Sequence, residues 1–206
     1  MWELIGYVVS ECVKHGVTIN MVPTEYYDEL SGSWDDAEKT LTIATDSKNW
    51  VEVLAHEFGH FQQWKARKFD GYIYDEVYGS SVFDDWLAGN KKLSPERVDE
   101  MTAAMQACEM DAEQRAYHLL KRFKVKTSLP RYIQKANAYV LFYKVMAKHR
   151  QWCDKQSPSK NPAILKLMPT TWVTDFNDLP EGFEKLVVDD CFKPKSRWTR
   201  FKTWLR

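Results

Sequence analysis

The chain has no run of apolar residues approaching the roughly 18 that a membrane-spanning helix needs. Its opening residues, Met1-Trp2-Glu3-Leu4, lack the basic flank and apolar stretch of a signal peptide, so the expected location is cytoplasmic. Cysteine is scarce. Cys12, Cys108, Cys153 and Cys191 lie far apart without CxxC spacing, which fits reduced thiols better than a disulfide framework. There is no internal repeat or low-complexity tract, and no net charge, 29 basic residues balancing 29 acidic ones. What is plentiful is aromatic surface, with nine Trp and ten Tyr, enough to build a core or grooves from rings. At 206 residues, 44% hydrophobic and with a mean hydropathy of −0.52, the chain reads as one soluble globular domain spanning 1–206.

Histidine numbers only five, yet two fall within one pentapeptide, His56-Glu57-Phe58-Gly59-His60. A chain of this length shows HExxH by chance on the order of one time in a hundred. On a helix, residues four apart share a face, so both imidazoles can reach one metal ion. Glu57 then projects beside that ion, where a carboxylate can take a proton from water and pass it on to a leaving amine. Lys48 to Lys65 contains no Pro, and Trp50, Val53, Leu54, Phe58, Phe61 and Trp64 recur at spacings of three and four. This predicts an amphipathic helix, capped by Asp46 or Ser47, with the motif well inside it. The plainer alternative is a pair of hydrogen-bonded histidines on an ordinary helix.

Two histidines hold a catalytic metal poorly, so a third protein ligand is expected downstream. Residues 61–70 contain no His, and Ala66 stands where the metzincin pattern would require one, which excludes that branch. A second helix is predicted from about Ser94 to Phe123, opened by Ser94-Pro95-Glu96. It carries Glu109-Met110-Asp111-Ala112-Glu113. Glu109 and Glu113 are four apart, so one can bind the metal while the other holds a ligand imidazole by its free N–H. Ala112 and Ala116 keep that face small enough for a close helix approach. His118, nine residues after Glu109 and about half a revolution round the helix, points away.

HEFGH followed by this E-x-x-A-E segment resembles the gluzincin class of zinc peptidases, in which HExxH is completed by a Glu on a later helix. It is also similar to the compact ImmA/IrrE-type metallopeptidases, whose second motif is E-x-E-A-N. The present chain carries Asp for Glu and Glu for Asn there, and a longer gap from His60. The resemblance implies Zn2+ bound by His56, His60 and Glu109, Glu57 as general base, Glu113 as the supporting acid, and peptide-bond hydrolysis. The implied fold is α+β and zincin-like: a small mixed sheet, the HExxH helix and the Glu-bearing ligand helix, with a core at about 1–125. Residues 126–206 would then form a helical, loop-rich C-terminal elaboration. In such peptidases a strand before the zinc helix lines the cleft. The resemblance therefore suggests Leu41, Thr42, Ile43 and Ala44 for pairing with extended substrate, provided the strand lies at an edge rather than in the interior.

The coarse pattern along the chain is a helix at 2–14, a strand from Val17 to Val22, a turn at Ser31-Gly32-Ser33 and a strand from Lys39 to Thr45. Phe69 to Lys92 is aromatic and broken by Gly71, Gly79 and Gly89, and reads as irregular packing or a lid. A further helix covers 130–150. Arg115 to Cys153 holds ten basic residues and no acid, and Lys193 to Arg206 holds six, both interleaved with rings. Such segments suit nucleic-acid contact, or else are offset within the molecule. The reading that follows is a zinc peptidase. Its rivals are a catalytically silent zincin-fold binding module and a protease acting on nucleic-acid-bound proteins. Tyr139, Tyr143 and His149 are candidate oxyanion donors.

Overall fold

The computed structural model describes residues 1–23, 31–69 and 80–193. They form an α+β protein with seven α-helices and a three-stranded mixed sheet. None of the described helices is long and apolar enough to cross a membrane. The chain divides into two compact units, one of residues 1–68 and 111–129, the other of residues 69–110 and 130–206.

In the first unit, α1 (Trp2–Lys14) buries Leu4, Val8 and Cys12, one residue per turn, and turns back at Gly16, whose φ of 69° suits a residue without Cβ. Strands β1 (Thr18–Val22), β2 (Gly32–Asp35) and β3 (Thr40–Ala44) follow. β3 lies in the middle, parallel to β1 and antiparallel to β2, with Ile19 opposite Leu41 and Ser33 opposite Thr42. Leu41 and Ile43 are fully buried between half-buried threonines, the alternation expected of a strand with one face in a core. Each such aliphatic side chain contributes about 1.5–3 kcal/mol by leaving water. Helix α2 (Trp50–Lys65) packs on β2 and β3, Phe61 meeting Trp34 of β2, and also buries Val51, Leu54 and Phe58.

The strand expected to pair with substrate is thus interior. The ladder positions on both sides of Leu41, Thr42, Ile43 and Ala44 are taken by β1 and β2, so the expected substrate role of these four residues is corrected. Gly32, read as a turn residue, opens β2. The cap of α2 also differs: Asn49 occupies the N-cap position without a side-chain bond, while Ser47 Oγ accepts from the Asn49 amide before the helix begins.

Helix α4 (Pro95–Arg122) is continuous and contributes its last turns to the first unit. Its start is capped as expected, Ser94 Oγ accepting from the Arg97 amide.

The second unit has its own core. α3 (Ser80–Ala88) supplies Val82, Phe83 and Trp86, and α5 (Leu129–His149) supplies Leu141, Phe142, Val145 and Met146. The short helices α6 (Pro162–Leu167) and α7 (Phe183–Leu186) supply Ile164, Leu165 and Phe183. Helix α3 falls in the stretch read as irregular; it ends at Gly89, whose φ is 87°. The aromatic residues Tyr72, Tyr74 and Tyr78 lie outside the described residues, as does all of the basic tail beyond Lys193. Buried Asn137 shows how the polar interior is satisfied. Its Nδ2 donates to the carbonyls of Pro169 and Thr171, and its Oδ1 accepts from the Val173 amide.

Candidate metal centre

Helix α2 places His56 and His60 one turn apart, and their Nε2 atoms converge to 3.1 Å. Tetrahedral coordination with metal–nitrogen bonds of about 2.0–2.1 Å sets two imidazole nitrogens roughly 3.3 Å apart. The observed spacing is compatible with two ligands on one ion, and also with a hydrogen bond between the two rings. With Glu57, the two histidines form a set whose ligand atoms all lie within 4.8 Å of one another, a group that can hold a metal ion.

The far side of each ring also has a polar neighbour. His56 Nδ1 lies 3.2 Å from Glu113 Oε1, on the part of α4 that belongs to the same unit. The pair is close, but its geometry is not that of a hydrogen bond. His60 Nδ1 lies 2.9 Å from Gln63 Oε1, and Gln63 Nε2 donates to Asp111 Oδ2 at 2.9 Å. Asp111 also accepts from Lys68 at 2.5 Å and Arg115 at 2.6 Å. Burial pushes the Asp111 carboxyl up, but hydrogen bonds from Lys68, Arg115 and Gln63 outweigh it and hold the group below its usual range.

Two glycines set the spacing around these groups. A Cβ on Gly59 would lie 2.8 Å from the Ala112 carbonyl oxygen, so α2 and the end of α4 approach as closely as a bare backbone allows. A Cβ on Gly32 would lie 2.6 Å from Val53 Cγ1 and 3.1 Å from Glu57 Cγ, so β2 presses directly on the turn that carries the proposed base. Sequence reading anticipated the small face at Ala112 and Ala116 and named Asp111 within the Glu109–Glu113 segment, but it read Gly32 as a turn residue and gave no role to Gly59 or Gln63. A signal for Gln63 existed, since His56, His60 and Gln63 form a stripe at spacings of four and three.

In the second unit, Glu109 is buried at 8% exposure, and its Oε1 accepts from the Tyr143 hydroxyl at 3.2 Å. Tyr139 and Tyr143 hydroxyls are 3.2 Å apart. Burial, with Glu109 adding to it, pushes the Tyr143 phenol well above its usual range, so it stays protonated and able to donate. His149, another candidate donor, sits instead against Glu184, Nε2 to Oε1 at 2.7 Å. Exposed His118 lies away from the core, as its position on the helix implied. Burial pushes the thiols of Cys12 and Cys191 up to about 11 and that of Cys153 up to about 12, so none of these three supplies a thiolate at neutral pH.

Several members of the basic run have intramolecular partners: Lys144 pairs with Asp99, Lys148 with Glu184, and Arg150 donates to the Trp86 carbonyl. Its rings Tyr132, Phe142 and Tyr143 are buried.

No protein-family model, curated protein or solved structure matches the chain.

Proposed function

We propose that the chain is a zinc-dependent peptidase with a zincin-like arrangement, His56, His60 and Glu109 holding the metal and Glu57 acting as general base. The observation that carries this reading is the 3.1 Å convergence of the two Nε2 atoms, with the Glu57 carboxylate in the same group. Support for Glu109 is positional. Glu109 comes from the sequence resemblance and stands one turn before Glu113 on the uninterrupted α4, whereas the group that can hold an ion among the described residues consists of His56, Glu57 and His60. Zinc, when bound, acidifies a water and polarises the scissile carbonyl. The residues do the rest. Gln63 holds the His60 ring, Glu113 lies beside His56 Nδ1, and Glu57, buried at 9% exposure, receives the proton of the attacking water and returns it to the amine.

The test combines metal analysis with hydrolysis of quenched-fluorophore casein by the purified protein. Zinc is expected at one equivalent. Glu57→Gln should keep the metal and lower hydrolysis by about 10²–10⁴-fold. Glu109→Ala should weaken zinc affinity, and unchanged stoichiometry and affinity would remove Glu109 from the ligand set. A wild-type protein that binds zinc but leaves casein intact, with Glu57→Gln indistinguishable from it, would instead favour a zincin-fold binding module.

A further inference from the structure

The Gln63 amide has only one orientation open to it. Its nitrogen faces Asp111 Oδ2 at 2.9 Å, an oxygen that also accepts from Arg115 Nε, while Oδ1 accepts from Lys68. A carboxylate holding two cations has lone pairs to offer and no proton. The NH2 of Gln63 must therefore turn toward Asp111 and its oxygen toward His60. That oxygen, 2.9 Å from His60 Nδ1, likewise has only lone pairs. Nδ1 must carry a proton, so in the neutral ring Nε2 is the acceptor, 3.1 Å from His56 Nε2. Unconstrained histidine side chains favour the opposite form, with the proton on Nε2.

We infer that Gln63 and Asp111 are positioning residues that lock the neutral His60 ring in its Nδ1–H tautomer, so that its Nε2 lone pair is ready for a cation before one arrives. The consequence for affinity rests on the metal reading above; the tautomer itself does not. The device differs from that at His56. There a carboxylate faces the ring directly, whereas at His60 the negative charge is passed through a neutral amide and anchored by Lys68 and Arg115. Gln63 is fully buried, and α2 presents it three residues after His60, so ring and amide are fixed by one helix and Asp111 by another.

The experiment is long-range proton–nitrogen correlation NMR on the metal-free, full-length protein, followed by zinc titration against a chelating dye. Wild type should show His60 protonated on Nδ1. Gln63→Met, which fills the same space without an acceptor, should shift His60 toward the Nε2–H form. Gln63→Glu restores an acceptor and should restore the wild-type signature, which a purely packing role would not require. Asp111→Asn, at a partly exposed position, frees the amide to turn over and gives the same reading if Gln63→Met fails to fold. Zinc affinity should fall about 10–100-fold in Gln63→Met and Asp111→Asn. An Nε2–H signature in wild type, or an unchanged tautomer in both variants, overturns the inference. The expected tautomers without any zinc binding by wild type would overturn the metal reading while upholding the lock.

Discussion

Asp84, half-buried on α3, has its carboxyl pushed from 3.8 up to about 6, chiefly by burial, with Asp85 beside it adding to the rise. A raised folded-state value means that the folded protein binds this proton more tightly than the unfolded chain does. The resulting stabilisation is complete below about pH 4 and is lost as pH rises through about 6. At pH 7 the ionised group is therefore a burden, worth about 1–2 kcal/mol once partial solvent contact is allowed for. Asp84→Asn should raise stability at pH 7 by that amount, and its advantage over wild type should shrink between pH 6 and 4. Urea unfolding of both proteins at several pH values checks this, and a constant difference across the range would refute it. The contrast with Asp111 is instructive, because burial acts on both carboxylates but only Asp111 has cations close enough to win. Composition shows neither environment. Both are single Asp residues on helices, and only the packed neighbours separate them.

Among the elements, α2 and its histidine pair were legible because their geometry is local: HExxH at helical spacing fixes which rings share a face before any tertiary contact forms. The sheet order was not. Leu41 and Ile43 alternate with threonines in an edge or a central strand alike, and only pairing by β1 and β2 distinguishes the two. Helix α3 was hidden for a different reason, since nine residues between glycines carry too few turns for periodicity to emerge. The glycines within helices show what spacing adds. A Cβ on Gly6 of α1 would meet nothing within 4 Å, whereas one on Gly59 would lie 2.8 Å from the Ala112 carbonyl oxygen and 3.1 Å from its Cα. Gly6→Ala should therefore stabilise by about 0.5–1 kcal/mol through helix propensity alone. Gly59→Ala gains the same propensity but must push backbone aside, an overpacking cost of about 1–3 kcal/mol. It should also weaken zinc binding, because displacing Ala112 carries Glu113 away from His56. Opposite signs for one substitution in two helices, read by thermal unfolding, are the expected result; equal signs would show that the α2–α4 approach is not tight.

For the whole molecule, acids distributed through the chain answer a basic run that sequence alone could assign equally to an outside partner. Lys144 and Lys148 find theirs inside the second unit, where Arg150 donates to the Trp86 carbonyl, and Arg115 finds Asp111 inside the first. Arg115 and Asp111 are one helical turn apart, but the other three pairings cross tens of residues and leave no trace in local spacing. Zinc should act on global stability through linkage, since an ion that binds only the folded protein stabilises by RT ln(1 + [L]/Kd), about 2.7 kcal/mol at one hundred times Kd. For a chain of this size that corresponds to a rise in Tm of roughly 5–10 °C. The proposed histidine ligands would bind only as neutral imidazoles, so protons compete with the metal and the rise should shrink on acidification. His56→Ala removes a ligand and should abolish the zinc-dependent rise at every pH, leaving a Tm that no longer responds to added metal or to a chelator. Scanning calorimetry of wild type and variant, with zinc and with chelator at pH 7.5 and pH 5.5, separates this linkage from nonspecific metal effects. A zinc-dependent rise that survives in His56→Ala would place the stabilising ion elsewhere in the molecule.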